Sequence, residues 1–108
     1  MAQVGLDQKW TQKLTTTGIQ ISAGMLIPGW LNELGLALDP SGNTAQVEVS
    51  LEDDSVADGT AVWFAWDAGL VTVKTIRATV GPVCRVRLNQ TVGAGVSTLF
   101  LAGQRRLP

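Results

Sequence analysis

Histidine is absent from the 108 residues of this chain, and its absence removes several kinds of chemistry. Without imidazole there is no histidine base, no histidine metal ligand and no Ser-His-Asp triad. The remaining acidic and basic side chains stand at no recognisable spacing from a nucleophile. Because an active site needs such matched groups, we expect the protein to be no enzyme and to use no cofactor.

Cysteine is almost absent too, since Cys84 is the single one. One cysteine excludes an internal disulfide and a cysteine cluster that binds a metal. Cys84 alternates with polar residues along a predicted strand, on the same side as Val86 and Leu88. Free cysteines are often buried, so we expect an unreactive thiol inside the protein.

Charged residues are scarce, at 16% of the chain, and the net charge is only −1. No overall field therefore draws the molecule to nucleic acid or to an anionic membrane, and we expect neither as a partner. Apolar residues make up 45% of the chain. A surface with few solvated charges leaves more area for contact with another protein, so this composition favours assembly.

Long apolar runs are missing as well. The first residues lack the basic region and the apolar stretch of a signal peptide. The longest apolar stretch, residues 25–31, is interrupted by Pro28 and Gly29 and is too short to span a bilayer. We therefore expect synthesis in a cytoplasm without membrane insertion.

The length is that of one domain, and its composition divides it into three parts. Residues 1–17 are polar around Trp10, and we expect either an N-terminal arm pinned by that side chain or an edge strand. Residues 18–102 carry the alternating patterns of a β-sandwich domain. Residues 103–108 form a short basic tail.

The first half of the domain contains three predicted strands. Residues 18–24 place three apolar side chains on one side, namely Ile19, Ile21 and Ala23. Residues 31–38 fit a helix or a strand, and we favour a strand because the flanking prolines leave a marginal length for a helix. Residues 44–52 alternate throughout. The economical interpretation is a hairpin of these last two segments across a type I turn at residues 39–42.

The second half predicts further strands. Residues 61–66 are apolar on both faces, and residues 71–80 change phase, which marks a β-bulge or a break between two strands. Residues 81–89 and 96–102 suggest a closing hairpin, whose second arm is apolar on both faces as in a strand covered on two sides. About seven short strands in all predict an all-β fold, an antiparallel β-sandwich of jelly-roll-like kind.

An acidic loop is the one candidate metal site. Its four carboxylates could bind a calcium ion, which takes several oxygens from flexible loops; they are Glu52, Asp53, Asp54 and Asp58. The spacing lacks the alternating ligands and distal glutamate of an EF-hand loop. Carboxylates in turns are ordinary, so we favour a solvated loop with no metal.

The tryptophans are the most informative side chains. Trp63 and Trp66 are three residues apart, so on a strand they point to opposite faces. Core packing is favoured for them, with a subunit or partner contact, or a ligand platform shared with Trp30, as alternatives. Trp10 is the candidate anchor of the N-terminal arm, because one buried aromatic side chain outweighs exposed charge pairs.

The arginines also have two interpretations. Arg85 and Arg87 occupy the polar side of their strand, where we expect a solvated edge, with a surface that pairs carboxylates as the alternative. Arg105 and Arg106 form a loose tail or an arm ordered by a partner. The candidate contacts with a partner or subunit are Trp10, Trp63, Trp66, Arg105 and Arg106.

Residues 44–102 resemble small β-sandwich proteins from tailed-phage virions. The likeness rests on Gly81-Pro82-Val83, Arg87-Leu88-Asn89 and Gly95-Val96-Ser97-Thr98-Leu99, which are similar to the C-terminal hairpin of those proteins. The run Val47–Asp54, followed by Trp63, is similar to their strand, acidic turn and tryptophan unit.

The resemblance implies a non-enzymatic structural protein, of capsid decoration (cement) type. Such a protein is made in the host cytoplasm, binds the major capsid protein on the capsid surface and stabilises the shell as a homotrimer or homodimer. A tail, baseplate or head-fibre component is the alternative within virions. A carbohydrate-binding module is the alternative outside them, because the fold alone does not decide function.

Overall fold

The computed structural model describes residues 7–31, 33–53, 55–79 and 83–106. Within these ranges it is all-β, with no helical residue and nine strands where about seven were predicted. The antiparallel β-sandwich predicted from the sequence is confirmed. The strands are β1 (Asp7–Thr17), β2 (Gln20–Ile21), β3 (Met25–Leu26), β4 (Glu33–Asp39), β5 (Thr44–Ser50), β6 (Phe64–Ala65), β7 (Thr75–Thr79), β8 (Arg85–Val92) and β9 (Val96–Arg106).

The strands form two sheets. Sheet A contains β1, β9, β4 and β7 in that spatial order, and sheet B contains β2, β8, β5 and β6, with β3 also paired to β8. Every strand pair in the described part of the chain is antiparallel. β1 and β7 are therefore the two edges of sheet A.

The core lies between the inner faces of β4 and β9 from sheet A and β5 and β8 from sheet B. Alternate residues of these strands are almost fully buried, as a two-layer sandwich requires. Each buried leucine contributes about 2 kcal/mol relative to an exposed one. The core residues are Leu34, Leu36, Leu38, Ala45, Val47, Trp66, Val86, Leu88, Leu99 and Leu101. The strand predicted over residues 31–38 is confirmed as β4, and the alternation of residues 44–52 as β5.

Both predicted hairpins are wrong. β4 lies in sheet A and β5 in sheet B, and β9 and β8 are separated in the same way. The connection from β4 to β5 therefore crosses from one sheet to the other as an arch, and so does the connection from β8 to β9. In each case the two strands pair with other parts of the chain and not with each other. In the first arch the Asn43 N–H donates to the Pro40 carbonyl at 3.0 Å. Ser41 and Gly42 have φ of 50° and 86°, so the turn is not the type I turn predicted one residue earlier.

The two arches are joined by Asn43. Its Nδ2 donates to the Pro40 carbonyl at 2.8 Å and to the Val96 carbonyl at 3.4 Å, and the Gly95 N–H donates to its Oδ1 at 3.3 Å. Gly93 has φ 107°, and a Cβ there would lie 2.0 Å from Asn43 Oδ1. Only glycine fits this contact, which holds the arches side by side.

The first and last described strands, β1 and β9, both belong to sheet A. β1 pairs with β9 along its whole length, from Asp7 opposite Arg106 to Thr17 opposite Val96. Of the two alternatives for residues 1–17, the edge strand is the one observed over residues 7–17. Residues 103–106 continue β9, so the predicted start of a basic tail at residue 103 is corrected: strand structure extends to residue 106.

Two shorter predictions also need correction. Only Gln20–Ile21 of residues 18–24 forms a strand, and Ile19 and Ile21 are 71% and 50% exposed, because this segment runs along the outer edge of sheet B. The change of phase in residues 71–80 marks a break between sheets. Val71 makes an isolated bridge to Ala45 of sheet B, whereas β7 pairs with β4 of sheet A.

Candidate interaction surface

The outer face of sheet A is the side turned away from the core. Residues directly opposite each other in an antiparallel sheet project to the same side, so the strand register defines rows across this face. One row, in the order of the strands, is Lys13, Phe100, Ala37 and Ile76. The adjacent row is Thr11, Ala102, Gly35 and Ala78.

Apart from Lys13 and Thr11 on β1, the two rows are apolar, and no described residue covers them. Phe100 is 45% exposed and Ile76 71% exposed on the first row. The small residues of the second row border a shallow groove of about 470 Å³, and a second depression of about 340 Å³ lies beside Phe100 and Ile76. Lys13 Nζ stands 5.4 Å from the centre of the Phe100 ring, at the rim. The small residues leave room for a partner to approach the backbone at Gly35, beside the large side chains of Phe100 and Ile76.

The outer face of sheet B is different, because its polar groups satisfy one another. Glu48 accepts hydrogen bonds from Arg87 Nε at 2.6 Å, Asn89 Nδ2 at 3.2 Å and Gln46 Nε2 at 3.0 Å. The Trp63 ring lies 4.1 Å from the Arg87 guanidinium carbon, a cation–π contact. A partner bound here would have to replace bonds already made, so sheet A offers the more favourable docking face.

Arg85 was expected on a solvated edge, and this is wrong. The residue is 3% exposed, and the acidic loop wraps around its guanidinium. Arg85 donates to Asp58 Oδ1 at 2.7 Å, to the Glu52 carbonyl at 3.2 Å, and to the carbonyls of Asp53 and Val56. The loop oxygens thus surround a cation supplied by the chain itself.

The same loop was the candidate metal site. Among the described residues, which do not include Asp54, no group of three or more acidic or cysteine side chains could hold a metal ion. The pKa of Asp58 is lowered chiefly by the hydrogen bond from the Gly24 N–H at 2.6 Å, and then by Arg85. The pKa of Asp53 is lowered by hydrogen bonds from the Ser55 hydroxyl and N–H. These carboxylates are engaged by the protein, which supports a structural role for the loop.

The tryptophans do not form one surface. Trp66 is 7% exposed in the core, and its indole N–H donates to the Gly69 carbonyl at 2.7 Å. Trp63 lies on the opposite side against Arg87, as its spacing from Trp66 predicts. Because Trp66 is buried, the shared sugar platform with Trp30 is not formed. Trp10 is half-buried and packs against the core from β1, so the expected anchor is part of the sandwich.

The remaining residues singled out in the sequence are the terminal arginines, which were candidate partner contacts, and the single cysteine. Arg105 is exposed within β9, opposite Gln8, and the backbone of Arg106 ends the same strand opposite Asp7, so neither residue lies in a loose tail. The side chain of Arg106 is outside the described part. Cys84 is half-buried, with its thiol 3.2 Å from the Leu51 carbonyl, rather than inside the core.

The residues of the outer face of sheet A were not among the predicted contacts. Their signal was present in residues 96–102, whose apolar character on both faces predicted a strand covered on two sides. The structure covers the inner side of β9 with the core and leaves Phe100, on the outer side, 45% exposed.

Comparison with known proteins found a similar fold but no similar sequence. No family model and no curated protein sequence matches the chain. One solved structure with a similar fold belongs to work titled "Bacillus endospore appendages form a novel family of disulfide-linked pili". It aligns with a TM-score of 0.55 and 10% sequence identity over 94% of this chain and 89% of that one. Within the described residues, no helix is long and apolar enough to cross a membrane.

Proposed function

We propose that the protein is a non-enzymatic structural protein that binds another protein through the outer face of sheet A. We further propose that it is a capsid decoration protein on the surface of a tailed-phage virion, with the major capsid protein as its partner. The observation that carries the proposal is the exposed apolar row of Phe100, Ala37 and Ile76 on a sheet whose other side is already buried.

The energetics support docking at this face. The Ile76 side chain is 71% exposed, and taking it out of water on binding contributes about 2 kcal/mol. The face lies on four hydrogen-bonded strands, so little conformational entropy is lost when a partner binds. Large apolar residues flanked by small ones give a partner both anchors and room, the arrangement of binding hot spots.

The capsid assignment is supported by the resemblance of residues 44–102 to virion β-sandwich proteins. A decoration protein needs a rigid domain and a face that holds it on the shell. The sandwich supplies the first and the outer face of sheet A the second.

A matched pair of variants tests the proposal. Ile76 and Ile19 are both 71% exposed, but only Ile76 lies on the outer face of sheet A. Purified protein, Ile76→Asp and Ile19→Asp are added to capsids of the cognate phage that lack the protein. Occupancy and the temperature at which the shells rupture are then measured.

We expect the wild type and Ile19→Asp to bind stoichiometrically and to raise the rupture temperature, and Ile76→Asp to do neither. Equal binding by both variants would refute the docking face. No binding of the wild type to expanded shells would refute the capsid assignment and move it to the tail, baseplate or head fibre.

A filament subunit is a second candidate, favoured by the fold likeness to a protein of disulfide-linked pili. In the described part of the chain, the outermost strands of sheet A, β1 and β7, are each paired on one side only, so strands of successive copies could join head to tail. Electron microscopy of the concentrated protein distinguishes the two, because a filament subunit should form fibres and a decoration protein discrete particles.

A further inference from the structure

Among the described strands, β1 has the longest edge that no other strand pairs with. β1 has 11 residues and pairs on one side with β9 without a change of register. On its other side, alternate residues direct N–H and C=O groups away from the sheet, with no described strand to receive them. The opposite edge of sheet A, β7, has only 5 residues.

Natural edge strands are normally short, bulged or interrupted by proline, since a long regular edge pairs with other chains. β1 has none of these features: it contains neither proline nor glycine, and its register with β9 is continuous. Its protection against such pairing is limited to two lysines, Lys9 and Lys13, since lysine also disfavours pairing at sheet edges. We therefore expect this edge to pair with a strand of another chain.

We propose that two copies of the protein pair antiparallel through their β1 strands, with Gln12 on the two-fold axis. In this register Gln12 faces Gln12 of the second copy, and all 11 residues of each strand are paired. On the core side Trp10 faces Leu14 of the second copy. On the outer side Thr11 faces Lys13, and Lys9 faces Thr15.

The charges favour this register over its neighbours. A shift of one residue would set the outer side of one strand against the core side of the other. A shift of two residues sets Lys9 opposite Lys13, or Lys13 opposite Lys13, and like charges directly opposite are destabilising. The register centred on Gln12 uses the whole strand and sets no lysine directly opposite another, since the two Lys13 residues meet only on the diagonal.

The pairing would join two sheets of four strands into one continuous sheet of eight. A two-fold axis perpendicular to the sheet keeps both outer faces on the same side, so the apolar rows of the two copies point in one direction. Trp10 and Leu14, which are half-buried in the single chain, would be covered by their counterparts. This inference does not depend on what the outer face binds.

Charge variants at position 11 test the register in sedimentation equilibrium. We expect a dimer for the wild type at micromolar concentration. Thr11→Lys places two like charges opposite each other twice per dimer and should weaken dimerisation about tenfold. Thr11→Glu should strengthen it, and adding Lys13→Glu to Thr11→Lys should restore it. Chemical denaturation of each variant confirms that the fold is intact.

Crosslinking gives a second readout that does not rely on charge. In a Cys84→Ser background, thiols introduced by Gln12→Cys face each other across the axis, within reach of a disulfide. Thiols introduced by Thr11→Cys face Lys13 and lie about 7 to 8 Å apart on the diagonal. We expect rapid covalent dimers for Gln12→Cys and slow ones for Thr11→Cys.

A wild-type protein that remains monomeric would refute the β1 dimer. So would a larger or differently arranged oligomer that ignores the charge at position 11 and crosslinks equally at both positions. A monomer that still binds capsids, with binding lost in Ile76→Asp, would refute the dimer and leave the docking face supported.

Discussion

The Arg85 guanidinium lies 2.7 Å from the Asp58 carboxylate, and the two residues fasten the acidic loop to sheet B. The Arg85 side chain is 4% exposed and that of Asp58 40% exposed, so the cation is buried while its partner reaches solvent. Three backbone carbonyls complete the shell around the guanidinium. A loop that looks solvated in the sequence is therefore organised around a buried charge.

Arg85→Ala should destabilise the protein by about 3 kcal/mol, because it leaves several loop oxygens without their donor. Arg87→Ala is the matched control: its side chain is 19% exposed and it loses one ion pair and the contact with Trp63. We expect a loss of about 1 kcal/mol there. Urea denaturation measures both, and equal losses would mean that burial of Arg85 contributes nothing.

Acid should weaken the same attachment. The pKa of Asp58 in the folded protein is below its ordinary value of 3.8, mainly because the Gly24 N–H donates to its carboxylate. Its stabilisation is therefore complete above pH 3.8 and declines as the pH falls through the lowered pKa. Asp58→Asn should be less stable at neutral pH and should lose less stability between pH 5 and pH 2. Parallel pH profiles of the two proteins would contradict this.

Two glycines of sheet A should respond oppositely to alanine. A Cβ at Gly35 meets only the Ala102 carbonyl oxygen at 3.6 Å, an ordinary contact, whereas one at Gly103 lies 2.7 Å from Leu31 Cδ1 and 3.0 Å from the Glu33 carbonyl oxygen. Gly35→Ala should be neutral or stabilising by about 0.5 kcal/mol. Gly103→Ala should cost about 1 to 3 kcal/mol through overpacking. Thermal denaturation checks both, and similar melting temperatures would disprove the difference.

The two neighbouring tryptophans should differ in the same measurement. Trp66→Ala removes a core side chain and its hydrogen bond to Gly69, and we expect a loss of about 3 to 5 kcal/mol. Trp63→Ala removes a half-buried ring from Arg87 and should cost about 1 to 2 kcal/mol. A larger loss for Trp63 than for Trp66 would show that the core is placed incorrectly.

Much of the local structure could be predicted from the sequence. The alternation of residues 44–52 identified β5, and proline and glycine around residues 31–38 identified β4. The spacing of Trp63 and Trp66 placed them on opposite sides. These predictions succeed because the alternation of side chains along a strand depends only on residues within a few positions of one another.

Partner choice could not be predicted in the same way. A turn with glycine suits a hairpin and an arch equally, so the pairs 31–38 with 44–52 and 81–89 with 96–102 were predicted within one sheet. In the structure β9 lies between β1 and β4, and β8 between β5 and the short strands β2 and β3. These pairings join residues far apart in the chain, such as Lys13 with Phe100, and only the folded sandwich brings them together.

The sequence by itself determined that the chain is all-β, where its main strands lie and which leucines and valines alternate toward a core. The tertiary structure alone decided which strands are neighbours, and with them that Arg85 is enclosed, that residues 103–106 extend a central strand and that Phe100 and Ile76 share an uncovered face. The physical reason is the separation along the chain of the residues that determine each feature. Alternation is a property of one strand, whereas a surface or an enclosed charge exists only once strands from distant parts of the chain lie side by side.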